Sequence, residues 1–188
     1  MYNKKFKGDV CSHSISFILD NFFRRILQNP EKIVKEYIGN GDTVIDLGCG
    51  PGFFSIEMAK MVGTTGKVYC VDLQKEMLEA VKSKAEKNHL TGQMILHNCT
   101  QDRIGLDEDI KADFILAYYM LHETPDPYAF AKQIKPLLKE NGKFLIVEPY
   151  FHVSKSKFKT ICEGMTSIGF LFLDTPKNKG GRSLLLTL

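Results

Sequence analysis

The sequence has few of the features that would place it outside the class of ordinary globular proteins. No apolar run approaches the roughly 20 residues of a membrane-spanning helix, and the basic segment 1–7 is not followed by the apolar core of a secretion signal. The five cysteines form no C-x-x-C pair, which favours reduced thiols over a disulfide framework or a metal site. A net charge of +3 does not require nucleic acid as a partner. We expect one cytoplasmic domain with no metal and no membrane span.

Residues 44–54 carry the most specific pattern in the chain. The apolar first half of this stretch predicts a buried parallel strand. Gly48, Gly50 and Gly52 follow in a turn, where the absence of Cβ atoms leaves room for a ligand. The apolar run after the turn predicts a helix packed on a sheet. Strand, glycine turn and helix N-terminus together predict a cofactor cradle of the Rossmann type.

The spacing of the glycines indicates which cofactor the cradle binds. A dinucleotide fingerprint needs Gly or Ala where Phe53 stands, whereas Gly52 comes one residue early. Asp46, on the strand, can hold a cationic amino group directly or through water, and a pyrophosphate has no use for such a carboxylate. The segment D-L-G-C-G-P-G therefore resembles the first motif of class I S-adenosylmethionine-dependent methyltransferases. Two alternatives stay open, a glycine-rich turn without a ligand and a nicotinamide or flavin site.

The resemblance implies an α/β fold, a Rossmann-like seven-stranded and mostly parallel sheet with helices on both faces and the last strand antiparallel. It covers residues 30–188, and residues 1–29 are predicted to form a helical extension over the cleft. The segment 137–149, L-L-K-E-N-G-K-F-L-I-V-E-P, is also similar to this family, with a leucine helix, a turn at 140–143 and a fifth strand at 144–147.

Several positions match cofactor-binding positions of the family. Asp72, at the tip of the second strand, can accept hydrogen bonds from both ribose hydroxyls, and Leu73 would lie against adenine. Cys99 replaces the acid that the family uses for the adenine amine, so the amides of Thr100 and Gln101, or a shifted Asp102, are left to read the base. The predicted cofactor-binding residues are Asp46, Gly48, Cys49, Gly50, Gly52, Asp72, Leu73, Thr100, Gln101 and Ala117, the last through its carbonyl.

The exit of the fourth strand predicts the substrate side of the cleft. His122 is the candidate general base, although a loop histidine that only bonds the backbone is an open alternative. Glu123 lies next to it, and Glu148 and His152 follow the fifth strand and are predicted to face the same rim. Tyr118 and its neighbour Tyr119 are expected to divide between the pocket wall and the core, because adjacent strand residues face opposite ways.

These patterns predict an S-adenosylmethionine-dependent methyltransferase that acts on a small or hydrophobic acceptor, similar to quinone-biosynthesis enzymes. The sequence lacks the Asn-Pro-Pro-Tyr segment of amino-methylating enzymes that act on nucleic-acid bases or glutamine. Its lysine clusters have no interleaved aromatic residues, so nucleic acid is not the expected partner. The alternatives are an RNA or protein methyltransferase and a module that binds S-adenosylmethionine without turnover.

Overall fold

The computed structural model of the chain describes residues 29–188. The helical extension over the cleft that is predicted for residues 1–29 lies, apart from its last residue, outside the described residues. The strands are β1 Thr43–Leu47, β2 Lys67–Asp72, β3 Met94–Asn98, β4 Ala112–Tyr118, β5 Leu138–Pro149, β6 Leu171–Asp174 and β7 Gly181–Thr187. The helices are α1 Pro30–Val34, α2 Ser55–Met61, α3 Lys75–Lys87, α4 Pro127–Lys132 and α5 Lys155–Ser167, with single 3₁₀ turns at Leu121–Glu123 and Lys135–Leu137.

All seven strands form one sheet with the order β3-β2-β1-β4-β5-β7-β6. Strands β1 to β5 pair in parallel, and β7 is antiparallel to both of its neighbours. The predicted fold, including the antiparallel last strand, is confirmed. The strand order reverses between β1 and β4, so the carboxyl ends of these two strands flank the crevice where open α/β sheets bind ligands.

Alternating side chains of the strands supply two separate cores. On β4, Phe114 and Leu116 pack into a cluster with α2 and α3, whereas Ile115 and Ala117 pack into a second cluster with α4 and α5. This alternation is the two-residue period of a strand buried on both faces. It places helices on both sides of the sheet, as predicted.

The helix starts follow from capping residues that the sequence displays. Asn29 accepts a hydrogen bond from the amide of Lys32 (3.2 Å) ahead of the proline that begins α1. The Asp126 carboxylate accepts two amides at the start of α4, each at 3.0 Å, and Ser154 caps α5. α1 ends at Val34, and Tyr37 beyond it stacks on Phe114.

The segment before the fifth strand differs from its prediction. The helix stops at Lys132 and a 3₁₀ turn that contains Pro136 follows, because proline cannot continue the backbone hydrogen bonds of a helix. β5 then begins at Leu138, opposite Ala112, so the predicted turn lies inside this strand at a register shift. Gly142 is needed there, because a Cβ would lie 2.8 Å from the carbonyl oxygen of Ala112.

Candidate active site

The three glycines of the turn after β1 are required for two different structural reasons. All have positive φ, between +52° and +83°. A Cβ at Gly48 would lie 2.7 Å from Cβ of Met120, and one at Gly52 would lie 3.2 Å from Cγ2 of Val81. A Cβ at Gly50 would meet no described atom within 4 Å. Open space is therefore present at Gly50, whereas Gly48 and Gly52 allow close packing of neighbouring side chains, and the binding of a ligand by these glycines stays a prediction.

The backbone amides of this turn are already used by the protein. The amides of Gly48 and Cys49 donate to the carbonyl of Val71 at 2.9 and 3.0 Å, and that of Gly52 donates to the Cys49 carbonyl at 3.1 Å. The Gly50 amide donates to Oδ2 of Asp72 at 2.8 Å. A pyrophosphate cradle needs free N–H groups and no adjacent carboxylate. This arrangement disfavours the dinucleotide alternative.

Asp72 closes the turn and has capacity for a ligand. Its Oδ1 accepts the amide of Gln74 at 2.9 Å, opposite the bond from Gly50. Burial raises the pKa of Asp72, although hydrogen bonds from the amides of Gln74, Gly50 and Leu73 oppose the rise. Because a carboxylate has about four acceptor positions, these amides do not use all of them and leave room for a ribose hydroxyl. Leu73 beside it is 38% exposed, as a residue that contacts an aromatic base should be.

Two predicted cofactor residues lie beneath the turn. Asp46 is only 2% exposed, and its Oδ2 accepts the hydroxyl of Ser55, the first residue of α2, at 2.5 Å. Its burial favours contact through water over direct contact with a ligand. Ala117 is fully buried between Leu47 of β1 and Ile146 of β5.

The loop after β3 departs from the predicted adenine site. The Thr100 amide donates to the carbonyl of Arg103 at 3.0 Å, and the Thr100 hydroxyl donates to Oδ1 of Asp102 at 2.9 Å. Contrary to the prediction, the Thr100 amide is not available to an adenine base, because it already donates within a local turn. Gln101 is exposed, and its role stays a prediction. Burial, with a smaller contribution from the Asp72 charge, raises the pKa of Cys99 to about 11, so this thiol stays neutral.

The exit of β4 lies directly over the glycine turn. Met120 packs against Gly48, and Tyr119 holds a left-handed backbone conformation with φ +62° while its amide donates to the Val147 carbonyl at 2.8 Å. Tyr118 is buried, with its ring 4.4 Å from that of Phe54, whereas Tyr119 is partly exposed. The two tyrosine rings lie 4.4 Å apart and pack against the same hydrophobic cluster, so the expectation that these neighbours face opposite ways is wrong. The left-handed backbone of Tyr119 ends the alternation of the strand there.

His122 pairs with a buried carboxylate and not with the backbone. Its Nδ1 is hydrogen-bonded to Oε2 of Glu148, whose side chain is fully buried, while 9% of the His122 side chain is exposed. The ring of His152, which is exposed, lies edge-on to His122 at 5.5 Å. The prediction that Glu148 faces the rim is wrong, because this residue lies inside the fold behind His122. The pairing was not foreseen, although His122 follows the end of β4 and Glu148 lies in the last residues of the adjacent strand β5.

Comparison with known proteins adds to this geometry. A family model described as a methyltransferase domain matches residues 38–181. The chain belongs to this family. The crystal structure of an S-adenosylmethionine-dependent methyltransferase from Aquifex aeolicus has a TM-score of 0.83 at 25% identity and covers 94% of this chain and 98% of its own.

Curated relatives are similar to this methyltransferase domain over part of their length. Demethylmenaquinone methyltransferase from Staphylococcus saprophyticus is 29% identical over 76% of this chain and 57% of its own length. Ubiquinone biosynthesis O-methyltransferase from Actinobacillus pleuropneumoniae is 33% identical over 54% of this chain and 43% of its own. The chain thus spans about half the length of the curated relatives it matches.

The rim of the methyltransferase domain also carries an exposed carboxylate. Desolvation raises the pKa of Glu123, and the charges of Glu148 and Asp72 add to this, whereas His122 opposes it. Glu123 therefore lies in the field of both the buried pair and the carboxylate at the glycine turn. Within residues 29–188, no helix is long and apolar enough to cross a membrane.

Proposed function

We propose that this protein transfers a methyl group from S-adenosylmethionine to a small or hydrophobic acceptor. The open space at Gly50, bounded by the carboxylate of Asp72 and by amides that already have acceptors, is the observation on which the proposal depends. Such a site suits a cofactor with ribose hydroxyls and a cationic end better than it suits a phosphate. The bound cofactor supplies an electrophilic methyl group on a sulfonium sulfur.

The residues around the turn have distinct roles in this proposal. Asp72 accepts the ribose hydroxyls, Leu73 contacts adenine, and Gly50 lets the backbone approach the cofactor. Asp46, through water, and the carbonyl of Ala117 orient the cationic amino group. The main contribution of the fold is then to align the acceptor with the methyl carbon and to exclude water.

The proposed acceptor follows from the rim and from the relatives. Met120 lies beside Gly48 of the glycine turn, and the partly exposed Tyr119 packs on the ring of the buried Tyr118. The named relatives are a demethylmenaquinone methyltransferase and a ubiquinone biosynthesis O-methyltransferase, and acceptors with aromatic rings match these side chains. Cytoplasm is the proposed location.

A calorimetric titration with S-adenosylmethionine, S-adenosylhomocysteine and NAD⁺ tests the cofactor part of the proposal. We expect saturable binding of the first two and none of the third. Methyl transfer is then followed with a radiolabelled donor over a panel of phenols, quinols, amines and thiols. Preferential binding of NAD⁺ would contradict the proposal, and binding with no transfer to any acceptor would favour a non-catalytic module.

A further inference from the structure

We infer that the acceptor is an aromatic or enolic hydroxyl, that His122 removes its proton, and that Glu148 is the positioning residue for His122. This inference rests on the proposed methyl transfer and specifies the acceptor. It depends on the pairing of a fully buried carboxylate with a slightly exposed imidazole beside the predicted methyl position.

Glu148 is a carboxylate with no exposure to solvent. Removing a carboxylate from water is costly unless it is paired and hydrogen-bonded. Within residues 29–188, Oε2 contacts His122, and Oε1 is buried without any hydrogen-bond partner. A pair that leaves one carboxylate oxygen without a partner contributes little to stability, so a role in orienting the imidazole explains it better.

The charged groups around the pair do not offer Glu148 another cation. Arg182, opposite Glu148 on β7, donates to the carbonyl of Val153 at 2.6 Å, and its guanidinium lies 4.8 Å from the ring centre of Tyr150. Glu123, on the same 3₁₀ turn as His122, adds negative charge to the rim. His152 contacts the His122 ring through its edge. In the described part of the chain, His122 is thus the ion-pair partner of Glu148.

The pairing determines which ring nitrogen acts. When Glu148 is ionised, Nδ1 of His122 carries the proton that Oε2 accepts, and the lone pair is left on Nε2. Nε2 then takes the proton of the acceptor hydroxyl, and the Glu148 carboxylate stabilises the imidazolium. The acceptor O–H bond breaks, the O–CH₃ bond forms, and the S–CH₃ bond breaks to leave a neutral thioether. His122 finally releases the proton to solvent.

This chemistry selects the class of acceptor. A phenolic hydroxyl has a pKa near that of tyrosine, about 10, and is mostly protonated at neutral pH. It therefore needs a base before it can attack the methyl carbon. A thioether or a tertiary amine has no proton to lose, and for such acceptors the buried pair would bring no advantage.

The test compares two acceptors that differ in the ionisation of their hydroxyl. Catechol is protonated at the assay pH, whereas 4-nitrocatechol is largely ionised. We expect His122→Ala to slow methylation of catechol by about 10²- to 10⁴-fold and that of 4-nitrocatechol far less. Glu148→Gln keeps the shape of the side chain but loses its charge, and we expect an intermediate loss in kcat for catechol with little change in KM.

A second measurement does not depend on turnover. The phenolate of 4-nitrophenol absorbs at a longer wavelength than the phenol. When 4-nitrophenol is titrated into the protein without cofactor, its absorption spectrum should shift toward that of the phenolate, because His122 takes its proton. The shift should be absent in His122→Ala and reduced in Glu148→Gln.

Matched variants control for the loss of a histidine and of a carboxylate elsewhere. His89 lies beyond the end of α3 in a left-handed backbone conformation. His89→Asn removes the imidazole and introduces a residue that tolerates this conformation. Glu163→Gln changes an exposed residue of α5. Neither should alter rates or spectra, and circular dichroism checks that each variant is folded.

The outcomes separate this inference from the proposed function. If folded His122→Ala slows both acceptors equally, or if the nitrophenol spectrum does not depend on His122, the inference is wrong while methyl transfer stands. It is also wrong if the wild-type protein binds S-adenosylmethionine and methylates only amines or thiols. If the wild-type protein does not bind S-adenosylmethionine at all, the proposed function fails as well.

Discussion

Replacement of Gly50 by alanine separates the cost of backbone strain from the loss of cofactor space. Gly50 has φ +52°, and a Cβ there meets no described atom within 4 Å. The stability cost is then that of the left-handed conformation alone, about 1–2 kcal/mol. Alanine also makes the unfolded chain stiffer, which offsets about 0.4–1 kcal/mol of this cost. We expect Gly50→Ala to fold and to lose roughly 1 kcal/mol of stability.

The effect on cofactor binding should be larger, because the new methyl group fills the space proposed for the ligand. Overpacking of this kind costs about 1–3 kcal/mol, which corresponds to an affinity loss of about 5- to 150-fold. Calorimetric titration with S-adenosylmethionine gives the affinity, and urea unfolding gives the stability.

Gly41→Ala is the matched control. Gly41 also has positive φ (+88°), and its Cβ would be in ordinary contact, 3.5 Å from Oγ1 of Thr65. It precedes β1 and therefore lies at the end of this strand that is opposite the glycine turn. We expect a similar loss of stability and unchanged affinity. Equal affinities of Gly50→Ala and the wild-type protein would refute the placement of the cofactor.

Three further substitutions test other parts of the site. Asp72→Asn should weaken S-adenosylmethionine binding by about 1.5–3 kcal/mol, because charge-assisted hydrogen bonds to ribose are lost; unchanged calorimetric affinity would remove the ribose role. Ser55→Ala should lower the free energy of unfolding in urea by about 1–3 kcal/mol, since Oδ2 of buried Asp46 loses a donor; no loss would mean that water replaces the hydroxyl. The pKa of Glu123 is raised by folding, so the folded state loses stability as pH rises through the unfolded pKa of about 4.3 toward the folded value. Glu123→Gln should therefore be slightly more stable than the wild-type protein at about pH 7 and equal to it at about pH 3, and the opposite pH trend would contradict this sign.

The local pattern of the sequence was sufficient for the first strand and the glycine turn, and the family resemblance on that pattern implied the rest of the sheet. The apolar residues of β1 and β4 are buried on both faces, and strands of this kind appear in the sequence as continuous apolar runs. The start of α1 has a local cause, because the capping residue Asn29 and the proline that begins the helix are adjacent in sequence. The position of Asp72 followed from the strand end that carries it.

What the sequence did not provide depends on contacts between distant segments. The pairing of His122 with Glu148 requires the register that sets Tyr118 opposite Val147, and no local pattern encodes this register. The early start of β5 likewise depends on the bridge between Leu138 and Ala112. The use of the Thr100 amide inside its own turn depends on the loop conformation, which residue types alone do not determine.

The different neighbours of the turn glycines have an evolutionary consequence. A Cβ at Gly52 would be crowded by Val81. A shorter side chain at position 81 would remove the steric cost of a substitution at position 52 and leave only the cost of its positive φ. Positions 52 and 81 should then co-vary among homologues, and Val81→Ala should act as a second-site suppressor of Gly52→Ala. Gly50 has no such neighbour among the described residues, so no compensating change within them can rescue its replacement.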